Sequence, residues 1–215
     1  MAPKRRRHDP TLSPLLDEIA RCRICRDQPT GAVLPHDPRP VLQASTTARL
    51  CVAGQAPGTR VHASGVPFTD PSGDRLREWM AIDRAVFYDE SRVAIVPMGF
   101  CFPGLGKSGS DLPPRRECAT AWHDKLFGQL TKLRLVLAIG AYAQAHHLGD
   151  LAGANVTETV RGWRAVLAAT SARGGAAVFP LPHPSWRNSG WLKRNPWFQS
   201  ELLPELRVVA ARAIG

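Results

Sequence analysis

Four short apolar runs punctuate the chain, at 49–53, 92–98, 133–139 and 176–181. Each is rich in Val, Leu, Ile or Ala, and none alternates cleanly with polar positions. Unbroken apolar runs of this length predict strands buried on both faces. Between them the spacing is helical. Leu12, Leu15, Leu16 and Ile19 predict a helix over 11–25, with Ser13 or Thr11 as its cap. Leu76, Trp79 and Met80 predict a helix over 72–82, and Ala119, Trp122, Leu126 and Phe127 one over 115–130. A short helix is expected over 140–148 and a closing amphipathic one over 197–214. The segment 100–114 is rich in Gly and Pro and predicts a loop. Strands alternating with helices predict βαβ units. The expected class is α/β, a three-layer α/β/α sandwich around a four-stranded parallel sheet. It forms one domain over 11–215, preceded by a basic disordered arm at 1–10.

Two of the runs end in tight polar turns. One enters Gly54-Gln55-Ala56-Pro57-Gly58, the other Pro182-His183-Pro184-Ser185-Trp186-Arg187-Asn188. Ligands of open parallel sheets bind outside the carboxyl ends of the strands. If the two strands are neighbours, the turns face one another across a pocket.

Composition narrows the partners. The 215 residues are 44% hydrophobic, enough for a real core. No apolar run approaches the ~20 residues that span a bilayer. The basic start, Lys4-Arg5-Arg6-Arg7, lacks the apolar stretch of a secretory signal. The expectation is a monomer in the bacterial cytosol or nucleoid, with no membrane partner. A formal net charge of +10 favours a polyanion, most often nucleic acid. Five cysteines cannot all pair with one another. In a cytosolic protein, metal or catalytic use is favoured over disulfides.

Within the first turn, two glycines and a proline leave amides free for an anion or a developing oxyanion. Gln55 adds a donor and an acceptor that suit an amide-like edge. Phe68, in the polar stretch 65–74, either plugs the core or stacks on a planar base. Asp74 reads as a first-turn residue favouring the helix dipole, and Asp70 as the better carboxylate for positioning water. His183, between two prolines, is held rigidly and suits a donor to an oxygen that becomes anionic. The stretch 186–198 mixes Trp186, Trp191 and Trp197 with Arg187, Lys193 and Arg194, with Gly190 as a hinge. Aromatic wedges beside cations suit a loop that enters a duplex. Cys22-x-x-Cys25 with Cys101 and Cys118 suits Zn²⁺, an iron–sulfur cluster, or no metal at all. Cys51, inside an apolar run, reads as a small buried hydrophobe.

In their order and spacing these elements resemble the uracil-DNA glycosylase superfamily, especially its iron–sulfur branches, families 4 and 5. The resemblance rests on Cys22-x-x-Cys25, Gly54–Gly58, Gly65-Val66-Pro67-Phe68-Thr69, Cys101, Cys118 and His183-Pro184-Ser185 with Asn188. It implies a monofunctional enzyme that flips uracil, or another deaminated base, from DNA and hydrolyses its N-glycosidic bond. Gly54, Gln55 and Ala56 then belong to the motif that surrounds sugar and base, with Gln55 counted among the catalytic residues. Phe68 stacks on the base, His183 bonds uracil O2, and Asn188 lies in the substrate site. Ser185, Arg187, Trp191, Lys193 and Arg194 belong to the segment that inserts into DNA. Cys22, Cys25, Cys101 and Cys118 would ligate a structural 4Fe–4S cluster. The chain departs from the pattern at Ala56, where the best-known branch has a water-activating Asp. It departs again at Pro97, where family 4 has Asn. Asp70, near where family 5 has an Asp after its Phe-Thr, is the candidate for the catalytic carboxylate, stabilising the sugar cation and orienting water. Two other readings stay open: a uracil- or abasic-DNA-binding protein without turnover, and a zinc-bearing nucleic-acid adaptor.

Overall fold

The computed structural model describes residues 10–215. The basic arm expected at 1–10, apart from Pro10, lies outside the described residues. The order of elements is α1 (Ser13–Ala20), α2 (Ile24–Asp27), β1 (Leu50–Ala53), α3 (Thr59–Ser64), α4 (Pro71–Met80), α5 (Arg84–Phe87) and β2 (Val93–Ile95). Then come α6 (Arg116–Gln129), β3 (Leu135–Ile139), α7 (Gly140–Leu148), α8 (Val156–Arg161), α9 (Trp163–Ala172), β4 (Ala177–Leu181), α10 (Ser189–Arg194) and α11 (Leu203–Ile214).

The four strands form one parallel sheet in the order β2-β1-β3-β4. Alternate residues of each strand enter opposite layers. Leu50, Val52, Leu135, Leu137, Phe179 and Leu181 pack with Leu76 and Trp79 of α4 and Leu206 of α11. Cys51, Ala53, Val136, Ala138 and Val178 pack with Ile19 of α1, Trp122 and Leu126 of α6, and Ala143 of α7. Both faces are covered, as the unbroken apolar runs require. Burial pushes the Cys51 thiol up to about 12, so it stays neutral within the sheet.

Several boundaries differ from expectation for local reasons. The helix expected over 11–25 breaks into α1 and α2. Leu12 takes the N-cap position and Ser13 is already helical. After Ala20 the backbone tightens, with the Cys22 amide bonding the Ile19 carbonyl. Cys22 then receives the Trp122 indole N–H at 3.3 Å. The closing helix opens with one π-type turn over Phe198–Leu202 before α11. Pro204, without an N–H, cannot continue the regular ladder there. The short helices α3 and α5 lie in stretches that read as loop, and α8 and α9 where periodicity gives no element.

The strand order also corrects one expectation. β1 and β4, which carry the two polar turns, are not neighbours, because β3 lies between them. The chain runs from β1 to β2 on one side and returns to β3 on the other. The switch point is therefore between β1 and β3, where open sheets place their ligands.

Candidate active site

At the carboxyl ends of β1, β3 and β4 a cleft of about 260 Å³ opens. Its lining includes Gln55 after β1, Gly140 and Tyr142 after β3, and His183 and Asn188 after β4. The two polar turns therefore share a pocket although their strands are not adjacent. The β1 turn is held in the plane of the sheet. The Met98 amide bonds the Gly54 carbonyl at 2.8 Å and the Gly99 amide bonds the Gln55 carbonyl at 3.0 Å. Gln55 Nε2 donates to the Leu112 carbonyl at 3.1 Å, tying this turn to the loop at 104–112.

His183 is fixed from two sides. Its Nδ1 accepts the Ser185 amide at 3.2 Å, and its carbonyl accepts Asn188 Nδ2 at 2.7 Å. Burial holds its pKa below the ordinary histidine value, against the pull of Asp70 and Asp111. The ring is therefore neutral near neutrality. Since Nδ1 accepts, the ring proton sits on Nε2, ready to donate.

Phe68 and Asp70 do not line this cleft, but they adjoin its motif. The Phe68 ring lies over Gly54, 3.5 Å from where a Cβ would stand. It meets Phe87 edge-on at 5.9 Å between centroids. Phe68 has φ of 54°, a left-handed conformation that a bulky residue adopts only when its surroundings impose it. Here they do. Its carbonyl accepts Tyr88 Oη at 3.0 Å and Arg77 Nη1 at 3.3 Å, and Tyr88 Oη also donates to the Pro67 carbonyl at 2.8 Å. Arg77 is buried and ion-pairs with Asp74, so Asp74 serves this scaffold as well as the helix dipole. Asp70 is the N-cap of α4, its Oδ1 accepting the Gly73 amide at 3.3 Å. It remains close enough to act on the charge of His183.

The segment after His183 is a 3₁₀ turn, Trp186–Asn188, followed by α10. Gly190 is thus inside a helix and is not the hinge that the sequence suggests. Of its three tryptophans only Trp186 is exposed, at 71%. Arg187 lies against its ring. Trp191, expected to touch DNA, is half-buried and lines the cleft. Its indole N–H donates to Thr157 Oγ1 at 2.8 Å and its ring packs on Trp197 and Phe198. Lys193 and Arg194 are exposed, as a phosphate-facing role requires. Ser185 is engaged through its backbone, its carbonyl accepting Arg75 Nη1 at 2.8 Å.

The four cysteines also meet. Cys22, Cys25, Cys101 and Cys118 line one apolar cavity with Pro38, Pro40 and Phe100. The Phe100 amide donates to Cys118 Sγ at 3.2 Å, and the Trp122 indole donates to Cys22 Sγ. Burial pushes the thiols up, Cys25 to about 11 and Cys101 to about 12. Among the described residues no group of three or more His, Cys, Asp or Glu is arranged to hold a single metal ion. Nor is any helix long and apolar enough to cross a membrane.

Two residues of this site escape the sequence reading. Trp186 stands among the aromatic wedges of its stretch, yet the resemblance singles out Trp191, because indoles in one polar stretch look alike until burial separates them. Asp111 lies in a Gly-rich loop remote in sequence from Asp70 and His183. Residues 42–207 match the family model described as the Uracil DNA glycosylase superfamily. The match takes in both polar turns, Phe68, Cys101 and Cys118, and begins after Cys22 and Cys25.

Proposed function

The chain belongs to the uracil-DNA glycosylase superfamily, glycosylases that act on damaged DNA bases, and from that premise we propose that it removes uracil from DNA by simple hydrolysis. The observation that carries this reading is His183, rigid and neutral, beside the Gln55 turn with its Nε2 proton free. Uracil leaves as an anion, so the main task is to stabilise charge on the departing base. His183 Nε2–H donates to O2 as the glycosidic bond breaks, and the β1 turn encloses the sugar. Phe68 stacks on the flipped base, and Asn188 braces the histidine from behind. Asp70 adds negative charge near the sugar cation, where Ala56 brings none. Among the described residues no lysine lines the cleft, which supports hydrolysis without a Schiff base or strand cleavage.

Flipping a base costs a few kcal/mol, least when it is mispaired or already single-stranded. Trp186, exposed and rooted through Arg75, is the side chain suited to fill the gap. Arg187, Lys193 and Arg194 meet the backbone, so binding weakens as salt rises. The test is an excision assay on uracil paired with guanine, paired with adenine and in single strands, with hypoxanthine and mismatched thymine beside them. Release of free uracil, leaving intact abasic strands, is the expected result. Trp186→Ala is expected to slow excision from duplexes about tenfold or more while sparing single strands. If no base is released from any substrate, the protein is a binder of damaged DNA, a role the Ala56 departure would suit.

The four-cysteine cavity fits a structural 4Fe–4S cluster better than one zinc ion. Four sulfurs surround a space rather than a point, and two already accept N–H bonds of the kind that tune cluster sulfurs. Bound there, a cluster would join α2 to the start of α6. Protein prepared without air is expected to be brown and to contain iron and acid-labile sulfide, and Cys118→Ala to lose both. A colourless preparation carrying zinc would overturn this assignment.

A further inference from the structure

The loop at 104–112 is more ordered than its composition suggests. Leu105 and Asp111 form an antiparallel bridge. The Gly106 amide bonds the Ser110 carbonyl at 2.8 Å, and the Leu112 amide bonds the Gly104 carbonyl at 2.9 Å. Gly104 and Gly109 both have positive φ, which lets the chain turn this tightly. The Gln55 bond to Leu112 pins the base of this turn to the β1 motif.

The turn delivers a carboxylate to that motif. Asp111 Oδ2 lies 3.4 Å from where a Cβ would stand on Gly58, the last residue of the β1 turn. Arg187, His183 and Asp70 all act on its charge. The two carboxylates are not equivalent. Asp70 spends one oxygen on the cap of α4, whereas Asp111 is exposed, so water reaches it.

We propose that Asp111 is the water-directing carboxylate of this site, standing in for the acid that Ala56 does not provide, with Asp70 as its electrostatic neighbour. The inference rests on the glycosylase reading. As the C1′–N1 bond breaks, its electron pair leaves with the base. A water oxygen then bonds C1′ and its proton passes to the Asp111 carboxylate, and from there to solvent. Partial desolvation against the turn, reinforced by Asp70, raises the Asp111 pKa, while Arg187 and His183 oppose the rise. A carboxylate poised in this way suits a general base.

The test uses the full chain. Single-turnover excision, affinity for the same duplex, and the NMR titration of the His183 ring are measured for wild type, Asp111→Asn, Asp111→Glu and Asp70→Asn. Asp111→Asn is expected to excise about 100-fold more slowly with unchanged affinity, as loss of a general base implies. The acid limb of its rate profile moves to lower pH. The His183 titration also moves down, since a carboxylate that raises it has gone. Asp111→Glu, which keeps the charge, retains the acid limb, and Asp70→Asn loses less rate than Asp111→Asn. With an active wild type, an Asp111→Asn variant that excises normally or leaves the His183 titration in place overturns the Asp111 assignment alone. A wild type that removes no base overturns the glycosylase reading and this role together.

Discussion

His183→Ala is expected to slow uracil excision by about two to three orders of magnitude, the usual loss when one preorganised donor to a developing oxyanion is removed. Affinity for uracil-containing DNA should change little, because the donor matters most after charge has moved onto the base. The magnitude follows from how the ring is held. Its Nδ1 is occupied by the Ser185 amide, its carbonyl by Asn188, and burial keeps it neutral. Nothing needs to reorganise when the bond breaks. Alanine leaves the fold intact, since the ring is only half-buried and no strand hydrogen bond passes through it. Single-turnover kinetics on a uracil–guanine duplex checks the expectation. A wild-type rate in the alanine variant would remove His183 from the mechanism.

The second large effect is structural. Gly73 lies in the first turn of α4, where alanine is normally the better helix former by about 1 kcal/mol. Here the expected sign is reversed. A Cβ at Gly73 would stand 1.9 Å from the Phe68 carbonyl oxygen and 2.7 Å from its carbon. That carbonyl cannot withdraw, because Tyr88 and Arg77 both hold it. Gly73→Ala is therefore expected to destabilise the protein by about 2–3 kcal/mol, as overpacking against fixed backbone does. The Phe68 ring should also leave its place over Gly54, lowering excision. Gly128→Ala on α6 is the control, because nothing lies within 4 Å of a Cβ there. Urea denaturation of the two variants should give opposite or clearly unequal shifts, and equal stabilities would contradict the tight contact.

The sheet was legible because each strand is buried on both faces and so reads as an unbroken apolar run. α7 emerges over the very residues expected, Gly140–Leu148. Strand adjacency was not legible. Nothing in the residues of β1 and β4 says that β3 passes between them. The six-residue helices α3 and α10 lie in Gly- and Pro-rich stretches, where too few turns exist to show a period. Within the site, local motifs were readable wherever one turn carries them, as with Gly54–Gly58 and His183. The four cysteines were identified by spacing, and the fold brings them to one cavity. Residues whose meaning depends on distant neighbours were not readable. Asp111 acquires a role only when its turn folds onto Gly58, and Trp191 differs from Trp186 only through Thr157 and the rings beside it.

Arg75 grips the segment 185–194 by a main-chain oxygen of Ser185, with a longer contact of 3.4 Å to the Ser189 hydroxyl. A grip on backbone is indifferent to which side chains follow. The residues beyond Ser185 can therefore diverge between relatives while their root keeps its position against α4. Under the proposed function, lesion preference then has a route to drift, through the identity of the residue at 186 and the cations beside it, that leaves His183 and Phe68 undisturbed.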